Sequence, residues 1–162
     1  MKSFTGRFMS MRFERAMPGV LVAIAVMEAA AADRPVFKHP LDGRPIDVTP
    51  KAGEVETAAV RRFKQTGANL YRNDASAIQA GKTLYDQWCQ ICHNSDATGK
   101  LAPPLIGTRY IYPQTATDVG MFAIIYGGAS GAMQPFSLRD LTQDDMLKII
   151  AYIRTLEQKR GP

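Results

Sequence analysis

Sulfur and imidazole side chains are scarce in this chain. Its 162 residues include two cysteines and two histidines. Three of those four fall in one stretch, Trp88 to His93, and the fourth, His39, lies far before it. A closed zinc site needs four ligands, so the chain has too few near each other to build one. Long apolar runs are also missing. The uncharged run from Ala16 to Met27 has twelve residues, whereas a spanning helix needs about 20. Charge of one sign is no more abundant. The formal net charge is +5, too small to argue for nucleic acid.

The first thirty residues read as an address. Lys2, Arg7, Arg12 and Arg15 make a basic start, the apolar run follows, and Ala29 to Ala32 supply small residues for a signal-peptidase cut. We expect residues 1–32 to be a signal peptide cleaved near Ala32, with an uncleaved anchor as the other reading. Cleavage leaves 16 Lys+Arg against 13 Asp+Glu, a formal +3, and only Met121, Met133 and Met146 as methionines.

Within the remainder, Trp88-Cys89-Gln90-Ile91-Cys92-His93 carries the signature of covalent haem attachment. Cys89 and Cys92 are placed to form thioethers with the haem vinyl groups, and His93 to give iron one axial nitrogen. In bacteria this attachment follows secretion, which agrees with an exported, periplasmic chain and no stable membrane insertion. A thioredoxin-like Cys-x-x-Cys pair would sit near a βαβ pattern, but the residues before Cys89 read as helix. Zinc and a plain disulfide are the remaining readings of the two thiols.

The chain divides into an N-terminal extension, 33–73, and a domain, 74–162, built around that motif. Asp42-Gly43 is a turn signal between Val36-Phe37 and Ile46…Val48, so either a short hairpin or an irregular strap is expected. His39 reads as a surface residue. Glu56 to Thr66 predicts a short helix ended by Gly67. Asp74 is placed to cap a helix reaching about Cys89, with Ile78, Gly81, Leu84, Tyr85 and Trp88 at helical spacing. Another helix crossing at Gly81 would lean on Tyr85. Thr117 or Asp118 caps a helix through Tyr126. Thr142 and Asp145 form a capping-box-like start for the last helix, to about Lys159, with Met146, Ile149, Ile150, Ile153 and Leu156 as its buried stripe.

The loops supply the other candidates. The carbonyl of Pro103 is the expected partner for the second ring nitrogen of His93. Arg109 and Tyr112, with Tyr110, are candidates to bond haem propionates, or else pack as surface residues. Met121 and Met146 lie among apolar helix residues, where methionine fills core. Met133 lies in Gly128…Gly131-Ala132-Met133-Gln134-Pro135 and is the expected second iron ligand.

The order helix, Cys-x-x-Cys-His, proline loop, short helix, methionine loop, final helix resembles the all-α class I c-type cytochrome fold from Asp74 to Leu156. Ala102-Pro103-Pro104-Leu105-x-Gly107 is similar to that family's Gly-Pro-x-Leu-x-Gly, with alanine for the first glycine. A closer resemblance, over about 35–157, is to cytochrome c-L. It rests on Thr66 to Tyr71, Tyr112 to Phe122, Ile125 to Met133 and Asp144 to Lys148. The resemblance implies one haem c and no catalysis by the chain alone. It implies a quinoprotein methanol or alcohol dehydrogenase as electron donor and a downstream c-type cytochrome or oxidase as acceptor. Ala132 to Phe136, with Ile106, would then border the exposed haem edge. The rival readings are a general cytochrome c serving an oxidase, and a haem enzyme or sensor in which Met133 leaves iron open.

Overall fold

The computed structural model describes Met1 and residues 34–160. The expected signal peptide, beyond Met1, lies outside the described residues. Five helices carry the fold: α1 Ala58–Thr66, α2 Ala75–Trp88, α3 Gln90–His93, α4 Asp118–Gly127 and α5 Gln143–Arg160. Three short 3-10 turns, Leu70–Asn73, Pro113–Ala116 and Phe136–Leu138, lie between them. Among the described residues no strand forms, and the architecture is the all-helical one expected.

Each long helix starts where a side chain accepts its free N–H groups. Thr57 accepts from Val60 N–H, Asp74 from Ser76 and Ala77, and Thr117 from Gly120. Thr142 and Asp145 bond reciprocally, each backbone N–H reaching the other's side chain at 3.1 Å. This is the expected capping box with Asp in place of Glu. Gly67 ends α1 in the left-handed conformation (φ 74°), its N–H bonded to the Phe63 carbonyl.

Helices α2 and α5 cross at Gly81. A Cβ there would overlap the Lys148 carbonyl oxygen, so only glycine allows the two backbones this close. One turn on, Tyr85 meets Tyr152 edge to face, ring centroids 5.4 Å apart. Of the α5 stripe, Met146, Ile149, Ile150 and Ile153 are buried as the spacing predicts, while Leu156, near the end of the helix, is half-buried. Fully burying such side chains is worth about 1.5–3 kcal/mol each.

The extension shares this core. Phe37, Phe63 and Phe122 form a triangle with centroids 5.3 to 5.8 Å apart, and Phe122 stacks on Tyr126. The Asp-Gly turn closes with Ile46 N–H on the Phe37 carbonyl at 2.9 Å and a single bridge, Lys38 to Pro45. It is a one-bridge hairpin rather than a strand pair, because Pro45 has no N–H to extend the ladder. Polar contacts pin the extension further. Asn69, buried, donates to the Leu147 carbonyl, and Asp144 accepts from both Thr57 and Tyr71 hydroxyls.

Candidate functional site

The cysteine stretch is set by the end of α2. Cys89 N–H still bonds to the Tyr85 carbonyl (2.8 Å), but its backbone leaves the helix at φ −117°, ψ −40°. Cys92 and His93 N–H groups then both return to the Cys89 carbonyl, at 3.2 and 3.0 Å. The motif is thereby wound into one turn, α3. The following loop is tied under it: Leu101 and Ala102 donate to the Cys92 carbonyl, and Gly99 to that of His93. Tyr85 hydroxyl donates to the Asn94 carbonyl at 2.7 Å.

His93 is buried, and its Nδ1–H donates to the Pro103 carbonyl at 2.8 Å, the partner predicted from sequence. That bond fixes the tautomer and leaves Nε2 with no hydrogen-bond partner among the described residues. Burial pushes the imidazole below its ordinary pKa, and the Pro103 bond only partly opposes this. The ring is therefore a neutral nitrogen donor, as iron ligation requires. Cys89 and Cys92 form no disulfide with each other. Burial, with Cys92 adding, pushes the Cys89 thiol up to about 12. A redox-active Cys-x-x-Cys pair needs a lowered thiol, so the thioredoxin-like reading loses its chemistry here.

Met121 and Met146 are sealed in the core, 2% and 0% exposed, and neither can turn to a ligand without leaving it. Met133 is half-buried and packs against the same core from the loop after α4. Gly128 shapes that loop at φ 78°, ψ −177°, a region open essentially to glycine alone. A Cβ there would sit 2.8 Å from the Met133 carbonyl oxygen, which accepts from Ala129 N–H at 2.9 Å. Beyond Met133, Phe136 meets Trp88 edge-on at 5.9 Å. Since Trp88 directly precedes Cys89, the methionine loop is packed onto the cysteine stretch. The donor set fits haem c: two reduced thiols in one turn, a neutral imidazole of fixed tautomer, and a thioether on a loop folded back towards them.

Other predicted residues are placed as follows. Tyr112 hydroxyl pairs with Ser130 Oγ at 2.6 Å and accepts from Ser130 N–H at 3.1 Å. Arg109 is exposed. Tyr110 turns away from the motif to donate to Glu157 on α5, and burial with that carboxylate raises its phenol to about 12. His39 Nε2 lies 3.2 Å from the Gly127 carbonyl, holding the hairpin to the end of α4.

Of the residues expected to border the haem edge, Ala132 is exposed, Phe136 is half-buried against Trp88, and Ile106 is 5% exposed. The exposed apolar side chains near the motif are Ile91 (73%), Leu101 (77%) and Leu138 (81%). A cavity of about 700 Å³ between the 98–108 loop and the end of α5 is lined by Thr98, Ile106 and Arg160 among others. None of the cysteine, histidine or methionine candidates lines it.

Sequence reasoning passed over Ser130 and Arg154. Arg154 is 3% exposed, its Nε on Asp118 at 2.9 Å and Nη2 on the Thr115 carbonyl at 2.8 Å. Its position one turn after Ile150 puts it on the buried face of α5, and that spacing was the available signal.

Residues 76–153 match the family described as cytochrome c oxidase, cbb3-type, subunit III. Cytochrome c-L of Methylorubrum extorquens is 42% identical over 137 residues, 84% of this chain and 69% of that protein. The crystal structure of cytochrome cL from the marine methylotrophic bacterium Methylophaga aminisulfidivorans superposes with a TM-score of 0.71 at 40% identity, covering 75% of this chain and 81% of that one. The cytochrome cL structure from Hyphomicrobium denitrificans gives 0.67 at 37% identity, covering 75% and 73%.

Proposed function

This chain belongs to the cytochrome c-L family, and on that premise we propose that it takes single electrons from a periplasmic quinoprotein methanol or alcohol dehydrogenase and delivers them to a downstream c-type cytochrome or oxidase. As a member it is a one-haem electron carrier with covalent haem c, not an enzyme. In this reading Cys89 and Cys92 hold the haem as thioethers. His93 Nε2 and the Met133 sulfur would hold the iron. When bound, the haem supplies a one-electron couple at iron, and a His/Met pair favours a raised potential.

The observation that carries the proposal is the reach of the likeness. A general carrier needs only the haem motif, a proline loop and a methionine, all within 89–133. The similarity to cytochrome c-L extends over 84% of the chain and so takes in the extension. Among the described residues no helix is long and apolar enough to cross a membrane.

Ile91 and Leu138 are the residues offered to the donor. An apolar contact excludes water between redox centres, and electron-transfer encounters are small, below about 1,200 Å². The test is stopped-flow mixing of oxidised holoprotein with a purified, reduced methanol dehydrogenase. Rapid reduction is expected, and Ile91→Glu or Leu138→Glu should slow it several-fold at an unchanged midpoint potential. Reduction no faster than that of an unrelated cytochrome c, at any salt, would leave the general-carrier reading in its place.

A further inference from the structure

Met133 lies in a segment whose backbone is closed by two bonds, Ala129 N–H to the Met133 carbonyl and Gln134 N–H to the Ala132 carbonyl, both 2.9 Å. Its approach passes through two glycines of positive φ, Gly128 (78°) and Gly131 (71°). Ser130, Gly131 and Ala132 are exposed, and nothing lies within 4 Å of where a Gly131 side chain would begin. After Met133 the loop has an apolar anchor, Phe136 on Trp88. Before Met133, among the described residues, the side-chain anchor is Tyr112. Its hydroxyl meets Ser130 twice, at Oγ (2.6 Å) and at the backbone N–H (3.1 Å).

Tyr112 itself is mounted on a fixed base. Its carbonyl accepts from Thr115 N–H at 2.9 Å. The Thr115 carbonyl accepts from the buried Arg154 guanidinium on α5 at 2.8 Å. Gln114, between them, is pressed against Gly120 in the first turn of α4, where a Cβ would overlap the Gln114 carbonyl oxygen. A line of contacts thus runs from the core of α5, through the Pro113–Ala116 turn, to a residue three before Met133.

We infer that Tyr112 is a positioning residue for the methionine loop: through Ser130 it clamps the loop shut, holding the Met133 sulfur at the iron and keeping outside ligands from it. This rests on the reading in which Met133 is the distal ligand. The clamp acts on an equilibrium between closed and open loop. An external ligand such as imidazole binds iron only in the open state, so its apparent dissociation constant is the intrinsic one divided by the open fraction. Each hydrogen bond lost from the closed state raises that fraction. The phenol is placed to do this because Tyr112 stays fixed whichever way the glycine loop moves.

Imidazole titration of the oxidised holoprotein tests the inference, with the sulfur-to-iron charge-transfer band and thermal unfolding recorded alongside. Tyr112→Phe should lower the apparent imidazole dissociation constant about threefold to tenfold, the effect of one or two hydrogen bonds. Ser130→Ala should act in the same direction but less, because the Ser130 N–H still reaches the phenol. The double variant should match Tyr112→Phe alone, and Ser130→Thr, which keeps the hydroxyl, should stay near the parent protein. Unfolding midpoints should fall by no more than the few degrees that one or two hydrogen bonds account for. If Tyr112→Phe leaves imidazole affinity unchanged while Met133→Ala abolishes the band, the clamp is wrong and the ligand assignment stands. If the two single effects simply add, Tyr112 acts through something other than Ser130 and the inference also falls. A band that survives Met133→Ala would sink the ligand assignment itself.

Discussion

Arg154 shows how a single residue is committed by its surroundings. Its guanidinium donates to Asp118, Thr115 and Glu157 from a nearly sealed position. Replacing it with Met keeps most of the volume but leaves the Thr115 carbonyl unpaired, while Asp118 keeps Arg72 at 3.3 Å. The cost is that of the lost hydrogen bonds, about 1–3 kcal/mol. Arg154→Met should therefore lower the unfolding midpoint of the holoprotein by several degrees, read by calorimetry. Arg154→Lys should fall between, since an ammonium cannot reproduce the planar fork. A Met variant as stable as the parent would show that the network is dispensable. At this scale the sequence was informative for cysteine, histidine and methionine, whose chemistry is rare enough to read directly. It said little of Ser130, because a serine's role depends on what stands opposite it.

For the elements, Gly81 sets the crossing of α2 and α5. In an exposed helix interior, Gly→Ala gains up to about 1 kcal/mol. Here the new methyl would collide with backbone, the Lys148 carbonyl, which cannot rotate aside. The helices would have to separate, so Gly81→Ala should destabilise by about 1–3 kcal/mol, the usual cost of overpacking. Chemical denaturation of holoprotein gives the sign directly, and a stabilised Gly81→Ala would refute the close crossing. Glycine within an apolar helical stripe signalled this contact, together with Tyr85 one turn on. Helix starts were also legible at Asp74 and Thr142, which are capping residues, whereas α1 begins at Ala58 rather than at the expected Glu56 because Thr57 caps it. The 3-10 turn at Leu70–Asn73 was not legible, because Asn69 organises it by spending its side chain on Leu147 and Tyr71, one contact of which is tertiary.

Across the whole molecule the extension is fastened to the core partly through one carboxylate. Asp144 accepts from Thr57 before α1, from Tyr71 beside α2, and from Lys148 one turn along α5. Burial works to raise its pKa, but these bonds outweigh it and hold the group below 3.8. A carboxyl lowered in the folded state lends stability that is present above the unfolded value and lost as pH falls through the folded one. Acid should thus loosen the extension as the pH drops below about 4. Asp144→Asn should cost about 1–3 kcal/mol at neutral pH and flatten the stability–pH curve below 4. Hydrogen exchange of α1 amides would report the same loss locally, and an unchanged acid slope would contradict it.

The residues alone determined that this chain binds haem c, that its helices run in the class I cytochrome order, and which methionine stands apart. Those facts lie in local patterns: a six-residue motif, helical periodicity, caps, and a thioether among glycines. Only the tertiary structure decided what faces outward. It buried Ile106, half-buried Phe136 and left Ile91 and Leu138 exposed. It also turned Tyr112 to Ser130 and Tyr110 to Glu157. A phenol or a phenyl ring satisfies itself against whatever surface the fold brings near. The spacing of residues along the chain does not encode which surface that will be.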